Sequence, residues 1–168
     1  MPRTSDGDCP DEPNEPNELD DQGGPDVQGE PWEYTLYIPH DLRAVTIGRR
    51  TLRLVLNAHG LPHLAEAAEL LATELVSNAL RHTKGPAALR LRWAGRVLRI
   101  GVWDADPTPP EPEPESAPRV AAYAEEGRGL WLIRSCSDGW GWYPLGGSDG
   151  SGKYVWCELT ATATALAR

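Results

Sequence analysis

Two polar side chains interrupt a mostly apolar stretch of predicted helix, Glu74-Leu-Val-Ser-Asn78. Residues four apart lie one turn apart on an α-helix, so the Glu74 carboxylate and the Asn78 carboxamide point the same way, at the border of an apolar stripe. A carboxylate can accept a proton from a hydroxyl nucleophile, and a carboxamide oxygen suits a Mg²⁺ ion that phosphates also hold. The pair outlines a phosphoryl-transfer site, although Glu and Asn at this spacing are more often hydrogen-bonding neighbours on a solvated helix.

Two further carboxylates follow a predicted strand, in Val102-Trp-Asp104-Ala-Asp106-Pro. A buried aspartate at the end of a strand can accept a hydrogen bond from an exocyclic amine, such as that of adenine. An Asx-turn that closes the strand is the alternative, and for this fragment alone it is the more common one.

A glycine-containing stretch, Gly127-Arg128-Gly129-Leu130, stands at the start of a predicted helix. Glycines let a backbone approach phosphate closely, the free N–H groups of a helix N-terminus favour an anion, and Arg128 adds a charge-assisted contact. An ordinary loop-to-helix turn has the same pattern. Arg81, beside Asn78 on the helical wheel, is a further candidate for phosphate contact, although an arginine there more often faces solvent.

The elements that must position these residues follow from the periodicity of the apolar residues. The predicted elements are a strand over 32–39, helices over 41–57 and 63–82, a hairpin of strands over 88–93 and 96–103, a helix over 129–136, and strands over 139–143 and 153–159. This order predicts an α+β fold, a two-layer α/β sandwich with helices on one face of a mainly antiparallel sheet.

Local residue types add detail to these elements. Asp41 is expected to cap the first helix, and Ala94-Gly95 to form the hairpin turn. Among the tryptophans, Trp131 is expected in the core, whereas Trp140 and Trp142 flank turns and are candidates for exposed partner contacts.

The chain divides into a tail and one domain. Residues 1–31 are rich in Asp, Glu, Pro, Asn and Gly and poor in aliphatic residues, so they cannot bury enough apolar surface to offset the entropy of ordering. We interpret 1–31 as a disordered acidic tail and 32–168 as a single domain. Residues 104–127 contain six prolines and no periodicity, which predicts a lid loop over about 105–126.

Charge and cysteine content exclude several classes of protein. The net charge of −9 is concentrated in residues 1–33, which carry eleven Asp or Glu against the single Arg3, so the rest of the chain is near neutral and neither nucleic acid nor an anionic membrane is indicated as a partner. The three cysteines fit neither a disulfide framework nor a zinc site. No apolar run is long enough for a membrane span or a secretion signal, so a soluble cytoplasmic protein is expected.

Taken together, these fragments resemble a known family. The motifs are Glu74-Leu-Val-Ser-Asn78-Ala-Leu-Arg-His82, Val102-Trp-Asp104-Ala-Asp106, Gly127-Arg-Gly-Leu130 and Gly152-Lys-Tyr-Val-Trp156. They are similar to the N box, the two glycine boxes and the last strand of the GHKL ATPases, and most similar to the small anti-sigma-factor serine/threonine kinases of bacteria. The resemblance covers roughly residues 34–160.

The resemblance implies the Bergerat ATP-binding fold, with ATP and Mg²⁺ as cofactors. It implies that Glu74 is the general base and Asn78 the Mg²⁺ ligand, that Asp104 recognises adenine with Asp106 nearby, and that the 127–130 stretch lies along the phosphates. It also implies γ-phosphate transfer to a serine or threonine of a protein partner, a sigma factor or its antagonist being involved, and control of transcription by partner switching. Homodimers are common in this branch.

Departures from the family pattern leave two alternatives open. Ala105 and Pro107 follow Asp104 where glycines are usual, and Tyr154 stands where a threonine near adenine is expected. A non-catalytic interaction module with a weak nucleotide site is therefore one alternative. The other is an ATPase domain that acts in trans with a histidine phosphotransfer partner.

Overall fold

The computed structural model describes residues 29–110, 128–146 and 152–162. Its strands are β1 (Trp32–Ile38), β2 (Ala87–Ala94), β3 (Val97–Asp104), β4 (Gly139–Pro144) and β5 (Lys153–Thr160). Its helices are α1 (Arg43–Ala58), α2 (Ala65–His82), which follows a 3-10 turn over Pro62–Leu64, and α3 (Arg128–Cys136). The five strands form one antiparallel sheet in the order β1-β2-β3-β5-β4, so the predicted α+β fold class is confirmed.

The hairpin between β2 and β3 turns one residue later than predicted. Ala94 still pairs with Val97, so the two turn residues are Gly95 and Arg96, with φ of 55° and 68°. Two consecutive residues in the left-handed region give the turn whose twist matches that of the flanking strands. The expected turn at Ala94-Gly95 is wrong because glycine fills the first left-handed position, and Arg96 accepts the second.

The core lies between one face of the sheet and the helices. Alternate strand residues point to this face, as the period of two requires, and Leu89, Ile100 and Cys157 are each no more than 1% exposed. From α1 and α2, Leu52, Leu56 and Leu71 are fully buried against them. The apolar residues of the helices, at helical spacing, and those of the strands, at alternate positions, thus form one hydrophobic cluster.

Polar contacts fix the ends of the helices. The Asp41 carboxylate accepts a hydrogen bond of 2.9 Å from the backbone N–H of Arg43, but α1 begins at Arg43 with Leu42 at its N-cap position and no side-chain cap, so the expected cap at Asp41 is wrong by one residue. Pairing with Arg43 lowers the pKa of Asp41 to about 2. Near the C-terminal end of α2, His40 Nε2 lies 2.9 Å from the carbonyl oxygen of Leu80.

The strand period corrects the predictions for the tryptophans. Trp140 and Trp142 project from β4 to the helix-covered face and pack against the core, so they are not exposed partner contacts. Trp131, which was expected in the core, is 57% exposed on α3, since Ile133 is the residue of that helix that turns to the sheet.

Aromatic side chains fill the positions above two glycines on the opposite face of the sheet. A Cβ on Gly101 would lie 1.9 Å from the Tyr154 hydroxyl oxygen, and a Cβ on Gly141 would lie 2.7 Å from Trp156. The guanidinium of Arg99 in turn lies 4.3 Å from the centre of a Trp156 ring. Glycine on one strand therefore lets an aromatic residue of the next lie flat on the sheet.

Two predicted regions fall largely outside the described residues. These are the acidic tail over 1–31, of which only 29–31 are described, and the lid over about 105–126, of which 105–110 are described. In the described part of the chain, none of the helices combines the length and the apolar character needed to cross a membrane.

Candidate functional site

Glu74 and Asn78 lie on a half-buried side of helix α2, beside the side that packs into the core. The core side of α2 is formed by fully buried apolar residues such as Leu71, Leu75 and Ala79. Glu74 and Asn78 lie next to this stripe, one turn apart, and both are of intermediate exposure. This is the arrangement predicted from the spacing, because residues four apart on a helix share a face.

Neither of these two side chains has a polar partner among the described residues. The described hydrogen bonds and ion pairs of α2 involve Glu69, Thr73 and the Leu80 carbonyl instead, with Thr73 Oγ1 donating to the Glu69 carbonyl at 2.7 Å. A half-buried carboxylate and carboxamide that make no hydrogen bond to the described part of the chain can bind a ligand. Their one carboxamide oxygen and one carboxylate fit a Mg²⁺ ion held chiefly by phosphate oxygens, and no group of three or more metal-binding side chains occurs within the described ranges.

Asp104, the last residue of β3, is 2% exposed and forms an ion pair with Lys153. Lys153 begins β5 directly opposite Asp104 in the antiparallel register, and its side chain is 3% exposed. Its ammonium Nζ lies 3.1 Å from Asp104 Oδ1 and 3.0 Å from the carbonyl oxygen of Asp106. A buried carboxylate at this end of the sheet was predicted, and the cation beside it was not.

Asp104 also closes the strand, so the Asx-turn interpretation holds as well. The backbone N–H of Asp106 donates to Asp104 Oδ1 at 2.9 Å, and the N–H of Thr108 donates to Asp106 Oδ1 at 2.9 Å. The bond from Thr108 lowers the pKa of Asp106, with a smaller contribution from the charge of Lys153. Asp106 is therefore ionised and half-buried at the start of the loop, near the candidate base-binding aspartate.

The end of α2 and the end of β3 lie at the same edge of the sheet. Ala87, Asp104 and Lys153 are aligned across β2, β3 and β5, and α2 ends only a few residues before Ala87. A Cβ on Gly85, in that short connection, would lie 3.6 Å from Ala105. Since a helix rises 1.5 Å per residue, Asn78 lies about 6 Å along the helix axis from the end of α2.

The remaining predicted site residues lie on α2 and α3, and one of them, Gly127, lies outside the described residues. Arg81 is exposed in the last turn of α2, one turn after Asn78. Helix α3 begins at Arg128 and includes Gly129, which agrees with the predicted helix start. Leu130 is half-exposed and, with Trp131 and Arg134, lines a shallow groove on α3. The described contacts do not bring this groove together with Asp104.

Lys153 is the buried neighbour of Asp104 that the sequence did not predict. The sequence directed attention to Tyr154 as the residue near the adenine, but Tyr154 projects to the opposite face, where it covers Gly101, and burial there raises its pKa. The burial of Lys153 could have been predicted from the alternation of side chains along a strand, because Lys153 lies on the same side of β5 as the buried residues Val155 and Cys157. A lysine in phase with core residues at a strand end predicts a buried ion pair.

Comparison with known proteins identifies the domain type. Residues 38–146, more than half of the chain, match the family model described as the histidine kinase-like ATPase domain. A comparison with curated proteins found no match to the chain. The matched range includes the α2 pair, the Asp104 turn and helix α3.

Proposed function

The chain belongs to the histidine kinase-like ATPase family, within the GHKL superfamily, and on that basis we propose that it binds ATP with Mg²⁺ and transfers the γ-phosphate to a serine or threonine of a partner protein. The observation that supports this most is the Glu74–Asn78 pair, which is half-buried and unused by the other described residues. The helix that carries the pair, α2, ends a few residues before Ala87, which pairs with Asp104 at the end of β3.

In this proposal the triphosphate lies between α2 and the N-terminus of α3. Asn78 binds the Mg²⁺ ion through its carboxamide oxygen, and the metal, when bound, offsets the negative charge that the phosphates bring and that builds up during transfer. Arg81 lies one turn further along α2, where a long cationic side chain can reach a phosphate. The backbone of the 127–130 stretch supplies the N–H groups of a helix start.

Glu74 acts as the general base for the incoming hydroxyl. As the serine or threonine oxygen forms its bond to the γ-phosphorus, the bond from that phosphorus to the β–γ bridging oxygen breaks. The hydroxyl proton passes to the Glu74 carboxylate, and ADP leaves with the bonding electron pair. Phosphoryl transfer depends mainly on positioning and electrostatics, so a carboxylate one turn from the metal ligand is a suitable arrangement.

The experiment that tests this function compares wild type with Glu74→Gln in phosphotransfer. An extract of the source cells is incubated with each protein and ATP labelled at the γ-phosphate, and new phosphoserine and phosphothreonine sites are identified by mass spectrometry. Glutamine keeps the size of the side chain but cannot take the proton, so transfer should fall by about 10²-fold or more while ATP binding is retained. Undiminished transfer by Glu74→Gln would remove Glu74 from this role.

The regulatory setting follows from the same proposal. A small kinase of this type acts in the cytoplasm, and its protein partners are a sigma factor and the antagonist that receives the phosphate. One partner would be held in one nucleotide state and released in the other, so that transcription responds to phosphorylation. Neither nucleic acid nor a membrane is a direct partner in this account.

A second candidate function is a partner-binding module without catalysis, and the buried Asp104–Lys153 pair favours it. The carboxylate expected to recognise adenine already has a charged partner inside the protein. This alternative predicts that partner binding survives in Glu74→Gln and that neither protein yields a phosphorylated product. The phosphotransfer experiment therefore separates the two functions.

A further inference from the structure

The ion pair between Asp104 and Lys153 has a consequence for base recognition. We propose that Lys153 neutralises the buried carboxylate that would otherwise bind the base amine, so that the nucleotide site of this chain takes purine nucleoside triphosphates without selecting adenine. This inference rests on the proposed function. It assigns to Lys153 the role of determining specificity at that site.

The Asp104 carboxylate is neutralised through one oxygen, Oδ1, and is buried as a whole. Oδ1 accepts from both the Lys153 ammonium, at 3.1 Å, and the backbone N–H of Asp106, at 2.9 Å. The side chains of Asp104 and Lys153 are both 3% exposed. An incoming base therefore meets a carboxylate that is paired and shielded from solvent.

The exocyclic amine of adenine is a poor competitor for this carboxylate. It is neutral, whereas the ammonium of Lys153 makes a charge-assisted hydrogen bond, which is roughly twice as strong. Displacing Lys153 would also leave its charge buried without a counter-charge, and removing one partner of a buried pair is strongly unfavourable. Replacement of the lysine by a base amine at this carboxylate is therefore unfavourable in free energy.

Lys153 is also held in place by the backbone. Its Nζ donates to the Asp106 carbonyl at 3.0 Å, which ties it to the loop after β3 as well as to Asp104. The residue before it, Gly152, has φ of 112°, and a Cβ there would lie 2.0 Å from the Asp104 carbonyl oxygen. The glycine lets β5 begin against the end of β3, and this brings Lys153 to the carboxylate.

The first arm of the test uses the wild-type protein and measures base discrimination. Binding of ATP is compared with that of purine riboside triphosphate, which lacks the exocyclic amine, and of GTP, each with Mg²⁺ and by calorimetry. The three affinities should agree within about threefold, because a carboxylate that is neutralised and buried contributes little to discrimination. A site that reads the amine rejects an analogue without it, so a preference of about tenfold or more for ATP over purine riboside triphosphate would overturn the proposal.

The second arm releases Asp104 by Lys153→Thr, with Lys84→Thr as the matched control. Lys84 is exposed in the connection between α2 and β2, so its replacement removes the same charge without touching Asp104. Lys153→Thr should bind ATP about tenfold or more tightly than wild type, and should prefer it over purine riboside triphosphate. Lys84→Thr should match wild type. Circular dichroism establishes that each variant is folded, and equal or weaker ATP binding by folded Lys153→Thr would contradict the proposal.

The outcomes distinguish failure of this inference from failure of the proposed function. A wild-type protein that prefers ATP leaves the nucleotide site standing and refutes only the role of Lys153. Binding of ATP by Lys153→Thr alone supports that role in its strongest form. If neither protein binds any triphosphate, the nucleotide site itself is wrong, and both proposals fall. Because the wild-type arm needs no substitution, an unfolded variant does not prevent a decision.

Discussion

At the scale of single residues, Asp104 has two structural tasks. Its carboxylate closes β3 by accepting the N–H of Asp106, and it neutralises Lys153 inside the protein. Its backbone carbonyl lies against Gly152, which is the reason that β5 can begin where it does. A substitution of Asp104, Lys153 or Gly152 is therefore expected to affect both the fold and the edge of the sheet where the candidate site lies.

Gly152→Ala should lower the free energy of unfolding by about 2–4 kcal/mol, since alanine brings both strain at a positive φ and a clash with the Asp104 carbonyl. Gly146→Ala is the matched control: it flanks the same connection between β4 and β5, and its Cβ would meet no atom within 4 Å. Urea unfolding of the two variants tests the difference. Equal stability would show that the contact between Gly152 and Asp104 does not constrain the chain.

The sequence predicted the residues of the site better than their neighbours. Glu74 and Asn78 could be placed on one side of α2 because helical spacing is a local property, and Asp104 because a strand ends there. The pairing of Asp104 with Lys153 depends on the register between two strands about fifty residues apart, which no local pattern determines. The roles of all the predicted site residues stay predictions: Glu74, Asn78, Arg81, Asp104, Asp106 and the 127–130 stretch.

At the scale of secondary-structure elements, α2 joins the core to the candidate site. Its buried side packs on β2, β3 and β5, and its half-buried side carries the polar pair. Helix α1 packs along α2 and β1 and adds an ion pair, Arg53 with Glu69, which lowers the pKa of the glutamate. Arg53 is 51% exposed, so solvent screens this pair and burial of α1 must supply most of the support for α2.

Two leucines of α1 test whether this helix is held in place by its buried side. Leu52 is fully buried, whereas Leu54 is 68% exposed on the same helix. Leu52→Ala should destabilise the protein by about 2–5 kcal/mol, and Leu54→Ala should change its stability by no more than about 0.5 kcal/mol. Both replacements alter helix propensity equally, so thermal unfolding isolates the packing term. A similar loss in both would mean that α1 is not held by its buried side.

The elements themselves were largely predictable, and their arrangement was not. Apolar spacing placed all three helices and five strands to within two residues, since amphipathic periodicity is imposed by the core. The order β1-β2-β3-β5-β4, in which β5 lies between β3 and β4, reflects long-range pairing. Trp131 shows a further limit, because a large apolar residue in a short helix was assigned to the core although Ile133 fills that place.

At the scale of the whole molecule, net charge does not favour the binding of a nucleotide. Residues 1–33 carry the net negative charge and the rest of the chain is near neutral, so the affinity for an anionic triphosphate must come from local contacts and from a metal ion. In this account those contacts are Asn78, Arg81 and the start of α3, with little help from Asp104 while Lys153 holds it. Binding should therefore be weak and should depend strongly on Mg²⁺.

The most direct measurement is calorimetric titration of the full chain with ATP, with and without Mg²⁺, beside the Asn78→Ala variant. Binding should be saturable, should need Mg²⁺ and should fall by about tenfold or more in Asn78→Ala, because the carboxamide oxygen is the proposed protein ligand to the metal. Binding that is equal with and without Mg²⁺ and unchanged in Asn78→Ala would contradict this proposal, as would no binding by either wild type or Lys153→Thr at millimolar ATP.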